Sequence, residues 1–161
     1  MDAIELLTKQ HRAVDQLCER FDNARKEEML ELLAQIAEML TIHARIEEQH
    51  FYPFARQAGL QDLVDRSIAD HTEVKRLLSD LLQCELDDPR INGLFDELKR
   101  SVRSHVQEEE SVVFPRLKEL SSDDRLRELG EVMNRAAMSV PQQEVLKIAR
   151  GEVPSPPAGL R

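Results

Sequence analysis

Residues 41–53, TIHARIEEQHFYP, decide the fold. They close a run whose apolar stripe passes through Ile36 and Leu40, then reaches positions 43, 47, 50 and Phe54 at alternating spacings of four and three. That spacing marks one face of an amphipathic α-helix. Three of its inward slots hold His43, Glu47 and His50. A carboxylate buried without a partner is strongly destabilising. The stretch therefore predicts a helix whose inner face must meet groups that compensate Glu47.

The same period recurs on both sides of this stretch. A first helix is expected over about 2–21, with Ile4, Leu7, His11, Val14 and Phe21 on one stripe. The second runs from about 25 to 57, with Gly59 as its stop. The third covers about 61–85, with Val64, Ile68, His71, Leu78 and Leu82 inward. Asp88 and Pro89 read as the N-cap and first residue of a fourth helix ending near 119. Its inward set is Ile91, Leu94, Leu98, Val102, His105, Glu109 and Val112. Ser121 and Asp124 are spaced like a capping box and open a fifth helix that ends near Met138. Connections are short, so neighbours should be antiparallel. The expectation is an all-α protein: an up-and-down four-helix bundle with a fifth, C-terminal helix, forming one domain over 1–140. A short helix is expected over 141–150, and a Pro- and Gly-rich disordered tail over 151–161.

Composition agrees. The 161 residues are 33 % charged and 41 % apolar, with 4 % aromatics and five glycines, a balance that favours helices over a sandwich or barrel. A net charge of −9 makes nucleic acid and anionic membranes poor partners. No apolar run approaches the ~20 residues of a membrane span. The N-terminal MDAIELLTKQH is charged from its second residue, unlike a secretory signal. Cys18 and Cys84 make no disulfide framework and read as reduced thiols, so a cytoplasmic location is expected.

The chain also repeats itself. At an offset of 62, His43 meets His105, Glu47 meets Glu109, Glu48 meets Glu110, Tyr52 meets Phe114 and Pro53 meets Pro115. Both stretches read H-x-x-x-E-E-x-x-x-(F or Y)-P. At an offset of 60, His11 meets His71, Val14 meets Val74 and Leu17 meets Leu77. Each half is thus a helix with one inward His, then a helix with an inward His-x-x-x-Glu. A bundle of two such hairpins points His11, His43, His71, His105, Glu47 and Glu109 at one another near its axis. Imidazole and carboxylate together suit iron, manganese or zinc. If both carboxylates bridge, two ions would each have two His and two carboxylate oxygens. An oxide or hydroxide bridge would then leave one position for small-molecule chemistry. A dimetal cluster is what makes the buried Glu47 tolerable.

This pattern resembles the hemerythrin-like, or HHE cation-binding, domain. The resemblance covers about residues 3–138. It rests on His11, His43 and Glu47 before Tyr52-Pro53, His71, and His105 and Glu109 before Phe114-Pro115. It implies a di-iron centre of two oxo- or hydroxo-bridged iron ions. It implies partners such as oxygen, peroxide or nitric oxide, in a carrier, a sensor or a redox enzyme. It offers no protein partner. One slot departs from the oxygen carriers, which have a further His one turn after the third-helix His, where this chain has Lys75.

Two readings of His50 stand open: a ligand replacing that missing His, or a core residue bonded near the Pro53 kink. A ferritin-type site would use Glu47-x-x-His50, but Val112 occupies the matching slot of the fourth helix. A structural zinc bundle is the remaining alternative. Glu48, Glu108 and Glu110 read as solvated flank charges, and Lys75 as a lysine with its ammonium turned out of the core, the alternative being that it lines the site and favours a bound anion. Tyr52 reads as packing at the kink, with a hydrogen bond to a ligand possible, and Cys18 as core filler.

Overall fold

The computed structural model describes residues 1–139, so the expected features at 141–150 and 151–161 lie outside the described residues. Among the described residues every regular element is helical. Helix α1 is Ala3–Asp22 and α2 is Lys26–Ile46. A π-turn, Glu47–Phe51, joins α2 to α3, Tyr52–Gln57. Helix α4 is Gln61–Gln83 and α5 is Ile91–Glu108. A second π-turn, Glu109–Val113, leads into α6, Phe114–Leu120, and α7 is Asp123–Ala137. The rods α1, α2–α3, α4 and α5–α6 form the up-and-down bundle, with α1 against α2 and α4 against α5.

Local chemistry sets the ends. Asp2 and Glu5 form a reciprocal capping box at α1. Gly59, at φ +99°, closes the second rod, and the amides of Leu60 and Gly59 donate to the carbonyls of Ala55 and Arg56. These bonds form a Schellman pattern at the stop expected from Gly59. Two expected caps slip. Asp88 accepts from the Arg90 amide and closes a turn ahead of α5, which starts at Ile91. Ser122, not Ser121, caps α7 by accepting from the Arg125 amide.

Helix α7 lies across α1 and α2. At Gly130 an added Cβ would stand 2.6 Å from backbone atoms of Met1 and Asp2, so only glycine lets α7 seat against the N-terminus.

The apolar interior has two parts. One gathers Leu7, Ile46, Phe51, Ala55, Ile68, Val113, Phe114, Leu117 and Leu126. The other gathers Val14, Ile36, Leu40, Val74, Leu77, Leu78, Phe95 and Leu98. Inward His residues fall between them along the chain: His11 between Leu7 and Val14, His43 between Leu40 and Ile46, His71 between Ile68 and Val74.

The π-turns overturn one expectation of register. An α-helical stripe would carry residue 50 below Glu47 and residue 112 below Glu109. In a π-turn the backbone bond runs from i+5 to i. The Tyr52 amide donates to the Glu47 carbonyl and the Phe114 amide to the Glu109 carbonyl, so each aromatic lies below its Glu. Val112, expected inward, is 38 % exposed, and Val113 takes the buried place. The proline after each turn explains the device. A proline ring clashes with the carbonyl four residues earlier, and a widened turn moves that carbonyl aside.

Candidate metal centre

Six side chains at the level of the π-turns meet inside the bundle. Two groups form. His11, His43, Glu47 and Glu109 each bring one donor atom within 4.8 Å of the others, and Glu47, His71 and His105 do the same. All six are buried, and both carboxylates are 0 % exposed. The Nε2 atoms face inward. His43 Nε2 stands 2.9 Å from Glu47 Oε1, and His11 Nε2 3.3 Å from Glu109 Oε1. His71 Nε2 is 3.0 Å from Glu47 Oε1 and 3.2 Å from His105 Nε2.

Four of these inward atoms, His11 Nε2, His43 Nε2, Glu47 Oε2 and Glu109 Oε1, have no hydrogen bond. Buried polar atoms are rarely left so. Orphaned imidazole and carboxylate donors converging on one point are a set that a divalent or trivalent cation would satisfy.

The outward Nδ1 atoms are all held. His11 Nδ1 is 2.7 Å from Glu110 Oε2 and His71 Nδ1 3.2 Å from Glu48 Oε2. His43 Nδ1 is 2.7 Å from Gln10 Oε1 and His105 Nδ1 3.4 Å from Asp70 Oδ2. These contacts follow the repeat. Gln10 and Asp70 each precede an inward His, and Glu48 and Glu110 each follow an inward Glu. Such acceptors fix the tautomer with Nδ1–H outward, leaving the Nε2 lone pair for a cation.

Glu48 and Glu110 are therefore not solvated flank charges, as the sequence reading had them. Glu48 is buried and also accepts from Lys75 Nζ at 2.9 and 3.0 Å. Lys75 thus turns to Glu48, with its side chain 12 % exposed. Glu110 is clasped by Arg12. Glu108 does stay at the edge, paired with Arg66. The doubled Glu in both copies of the motif was the signal that could have marked Glu48 and Glu110. His50 is half-buried on the first π-turn and belongs to neither group. In its place Tyr52, fully buried, sets its hydroxyl 3.2 Å from Glu47 Oε1, 2.8 Å from Glu109 Oε2 and 3.0 Å from His71 Nε2.

The electrostatics follow from this packing. Burial acts to raise Glu47, but the charge of His43 and the close approach of the His105, His43 and His71 imidazoles hold it well below the usual carboxylate range. Burial acts to raise Glu48 too, and His71 and Lys75 overcome it. At His43 burial, helped by the charge of His11, prevails over Glu47, and the pKa is lowered. At His11, His71 and His105 burial is outweighed by the facing carboxylates, and the pKa is raised. Burial, then Glu109 and Glu47, push the Tyr52 phenol well above its ordinary value.

A cavity of about 30 Å³ opens beside the cluster, and Tyr52 is not among its lining residues. All four inward His line it, with Val14, Leu40, Val74, Leu78, Val102 and Lys75 among the other walls. At about 10–15 Å³ per water-sized centre, it has room for a diatomic or peroxide and little more.

Fold and site together define a helical-bundle protein with a buried His and Glu cluster able to hold metal. The profile described as "Hemerythrin HHE cation binding domain" matches residues 2–117, and again 69–143. The chain belongs to the hemerythrin HHE cation-binding domain family. A crystal structure of an HHE cation-binding domain-containing protein from Mycobacterium kansasii superimposes with a TM-score of 0.77 at 28 % identity, covering 91 % of this chain and 89 % of that one. A protein of Nostoc sp. described as a DNA nickase is 27 % identical over 117 residues, 70 % of this chain and 32 % of that protein. The chain thus spans about a third of that relative's length. No helix among the described residues is long and apolar enough to cross a membrane.

Proposed function

We propose that this chain is a non-haem di-iron protein that binds or responds to a small molecule such as oxygen, with His11, His43, Glu47, His71, His105 and Glu109 as the ligands. The observation that carries the reading is the set of four orphaned donors, closed in by two apolar cores. One ion would take His11 and His43, the other His71 and His105, with Glu47 and Glu109 spanning both. A pair of iron ions would supply redox electrons and coordination positions that these side chains lack. The chain's own residues do the rest. Glu110, Gln10, Glu48 and Asp70 orient the four imidazoles. Phe114 stacks on His11 and Phe51 packs on Phe114, excluding water on that side. The cavity admits only small ligands.

Lys75 favours a second reading, a redox enzyme acting on peroxide or nitric oxide. Its side chain lines the cavity and its ammonium, held on Glu48, puts a positive charge near the cluster, where a developing anion would be stabilised. The two readings separate on one experiment. Protein loaded with ferrous iron without air is mixed with oxygen, peroxide or nitric oxide in a stopped-flow spectrometer. A binding protein gives a stoichiometric spectral change, and an oxygen carrier reverses it on deoxygenation. An enzyme sustains peroxide or nitric oxide turnover at about 1 per second or faster. No spectral response to any of the three refutes both.

A further inference from the structure

The cavity beside the four imidazoles has one thin side. A groove of about 380 Å³ runs along the surface seam between α1 and α5, with Arg12, Asp15, Lys99, Arg103 and Gln107 among its walls. His11, Val14, Val102 and Val106 line both this groove and the cavity of about 30 Å³. Single side chains therefore separate the two spaces. His11 and Val14 are buried, whereas Val102 and Val106 are half-buried. The cavity's other apolar walls, Leu40, Ala44, Val74 and Leu78, are all buried. Gln10 and Lys75, its remaining half-buried walls, are tied to His43 and Glu48.

The seam over that thin side is held by surface charge. Helix α1 packs chiefly on α2, and α5 on α4. Across the seam Arg12 pairs with Glu110, Arg103 with Asp15 at 3.4 Å and Lys99 with Asp22 at 2.7 Å. Both arginine side chains are more than half exposed, and exposed ion pairs are weak and screened by salt. Beneath them, the valine side chains have no hydrogen bond to break when they move. The groove carries charges of both signs, Arg12, Lys99 and Arg103 against Asp15 and Glu110, so it does not concentrate one sign of ion. An ion entering between the valines would also lose its water without a partner.

We infer that the α1–α5 groove is the entrance to the site, and that Val14, Val102 and Val106 form its gate. Small neutral molecules, the size of oxygen or peroxide, pass from the groove between these valines into the cavity. The two half-buried valines of α5 set the upper size limit. A wall of β-branched side chains suits that task, because each has few rotamers and returns to one closed position.

The entrance rests on the proposed metal centre for its purpose, and two readouts separate their failures. The first needs no iron. Xenon, which binds dry apolar cavities, is added to the chelator-treated full chain, and its exchange between cavity and solvent is measured by xenon NMR. Val106→Ala, which thins the gate, should speed that exchange about tenfold, and Val102→Ala should do the same. Val74→Ala removes the same two methyl groups from a wall that does not touch the groove, and should not speed it. The second readout uses iron. Wild type and Val106→Ala, loaded with ferrous iron and assayed for it, are mixed with hydrogen peroxide or with the bulkier tert-butyl hydroperoxide. Val106→Ala should bring the two oxidation rates about tenfold closer together at unchanged iron content. No bound xenon in wild type, equal acceleration by Val74→Ala, or exchange unchanged in both α5 variants overturns the entrance and leaves the metal centre standing. Faster xenon exchange in the α5 variants alone, with no reaction of wild-type iron with either peroxide, keeps the entrance and counts against the proposed peroxide chemistry.

Discussion

Removing Glu48 tests whether the groups behind the imidazoles tune the site or merely pair charges. Glu48 touches no proposed metal position. It joins Lys75 Nζ, at 2.9 and 3.0 Å, to His71 Nδ1, at 3.2 Å. The variant Glu48→Ala orphans both partners. Breaking a fully buried ion pair from one side costs about 3–5 kcal/mol. The Lys75 side chain keeps 12 % exposure and can swing toward water, so about 1–3 kcal/mol is expected in the metal-free protein. Independently, His71 loses the acceptor that fixes its tautomer. Loss of such a partner lowers metal affinity about 10–100-fold, or about 1.4–2.7 kcal/mol at about 1.4 kcal/mol per tenfold. Urea unfolding of chelator-treated protein reads the first effect, and competition with a chelator reads the second. The double variant Glu48→Ala, Lys75→Met separates them. It removes the stranded ammonium, so stability should return to within about 1 kcal/mol of wild type. Metal affinity should stay low. Wild-type affinity in Glu48→Ala would refute the orienting role, and so would affinity restored by Lys75→Met.

Other expectations are simpler to check. In chelator-treated protein His11, His71 and His105 have pKa values raised above the ordinary 6.5, so the folded state holds the extra protons. Their stabilisation is full below about pH 6.5 and fades as pH rises through the folded values, with the lowered His43 opposing it. Metal-loaded protein should show the opposite slope across about pH 5.5–7.5, because bound imidazoles carry no proton. Denaturation midpoints with the same pH slope in both forms would contradict this. His50→Leu and His50→Ala should leave iron content and the visible spectrum unchanged, since His50 stands outside both donor groups; an altered spectrum would bring it back as a ligand. Gly130→Ala should cost about 1–3 kcal/mol in thermal unfolding, because a new Cβ meets the N-terminal backbone; an unchanged melting curve would mean α7 does not seat as described.

The bundle and the six central side chains were legible because they obey one period. His11, His43, His71 and His105 continue apolar stripes, and Glu47 and Glu109 each lie one turn further on the same face. The repeat then made chance alignment implausible. What was missed lies where that period breaks. The π-turns rotate everything after Glu47 and Glu109, so helical counting placed His50 and Val112 inward and left Tyr52 as packing at the kink. Both prolines were visible, and a kink was expected from each. A wider turn solves the same clash while adding a residue, which spacing alone does not show. The outward partners escaped for another reason. Glu48, Glu110, Gln10 and Asp70 sit beside the stripe rather than on it, and a charged residue beside a stripe is usually a solvated one. Only the neighbouring helix, at close range, makes them acceptors for an imidazole. Lys75 belongs with them: its partner Glu48 lies 27 residues away.

The most direct test of the dinuclear centre is a metal count on the purified chain, run beside Glu47→Ala and Glu109→Ala. If both carboxylates span the two positions, wild type should hold about two ions per chain and each variant should lose both together. One tightly held ion in wild type, or loss of one ion while the other stays, would contradict a shared centre.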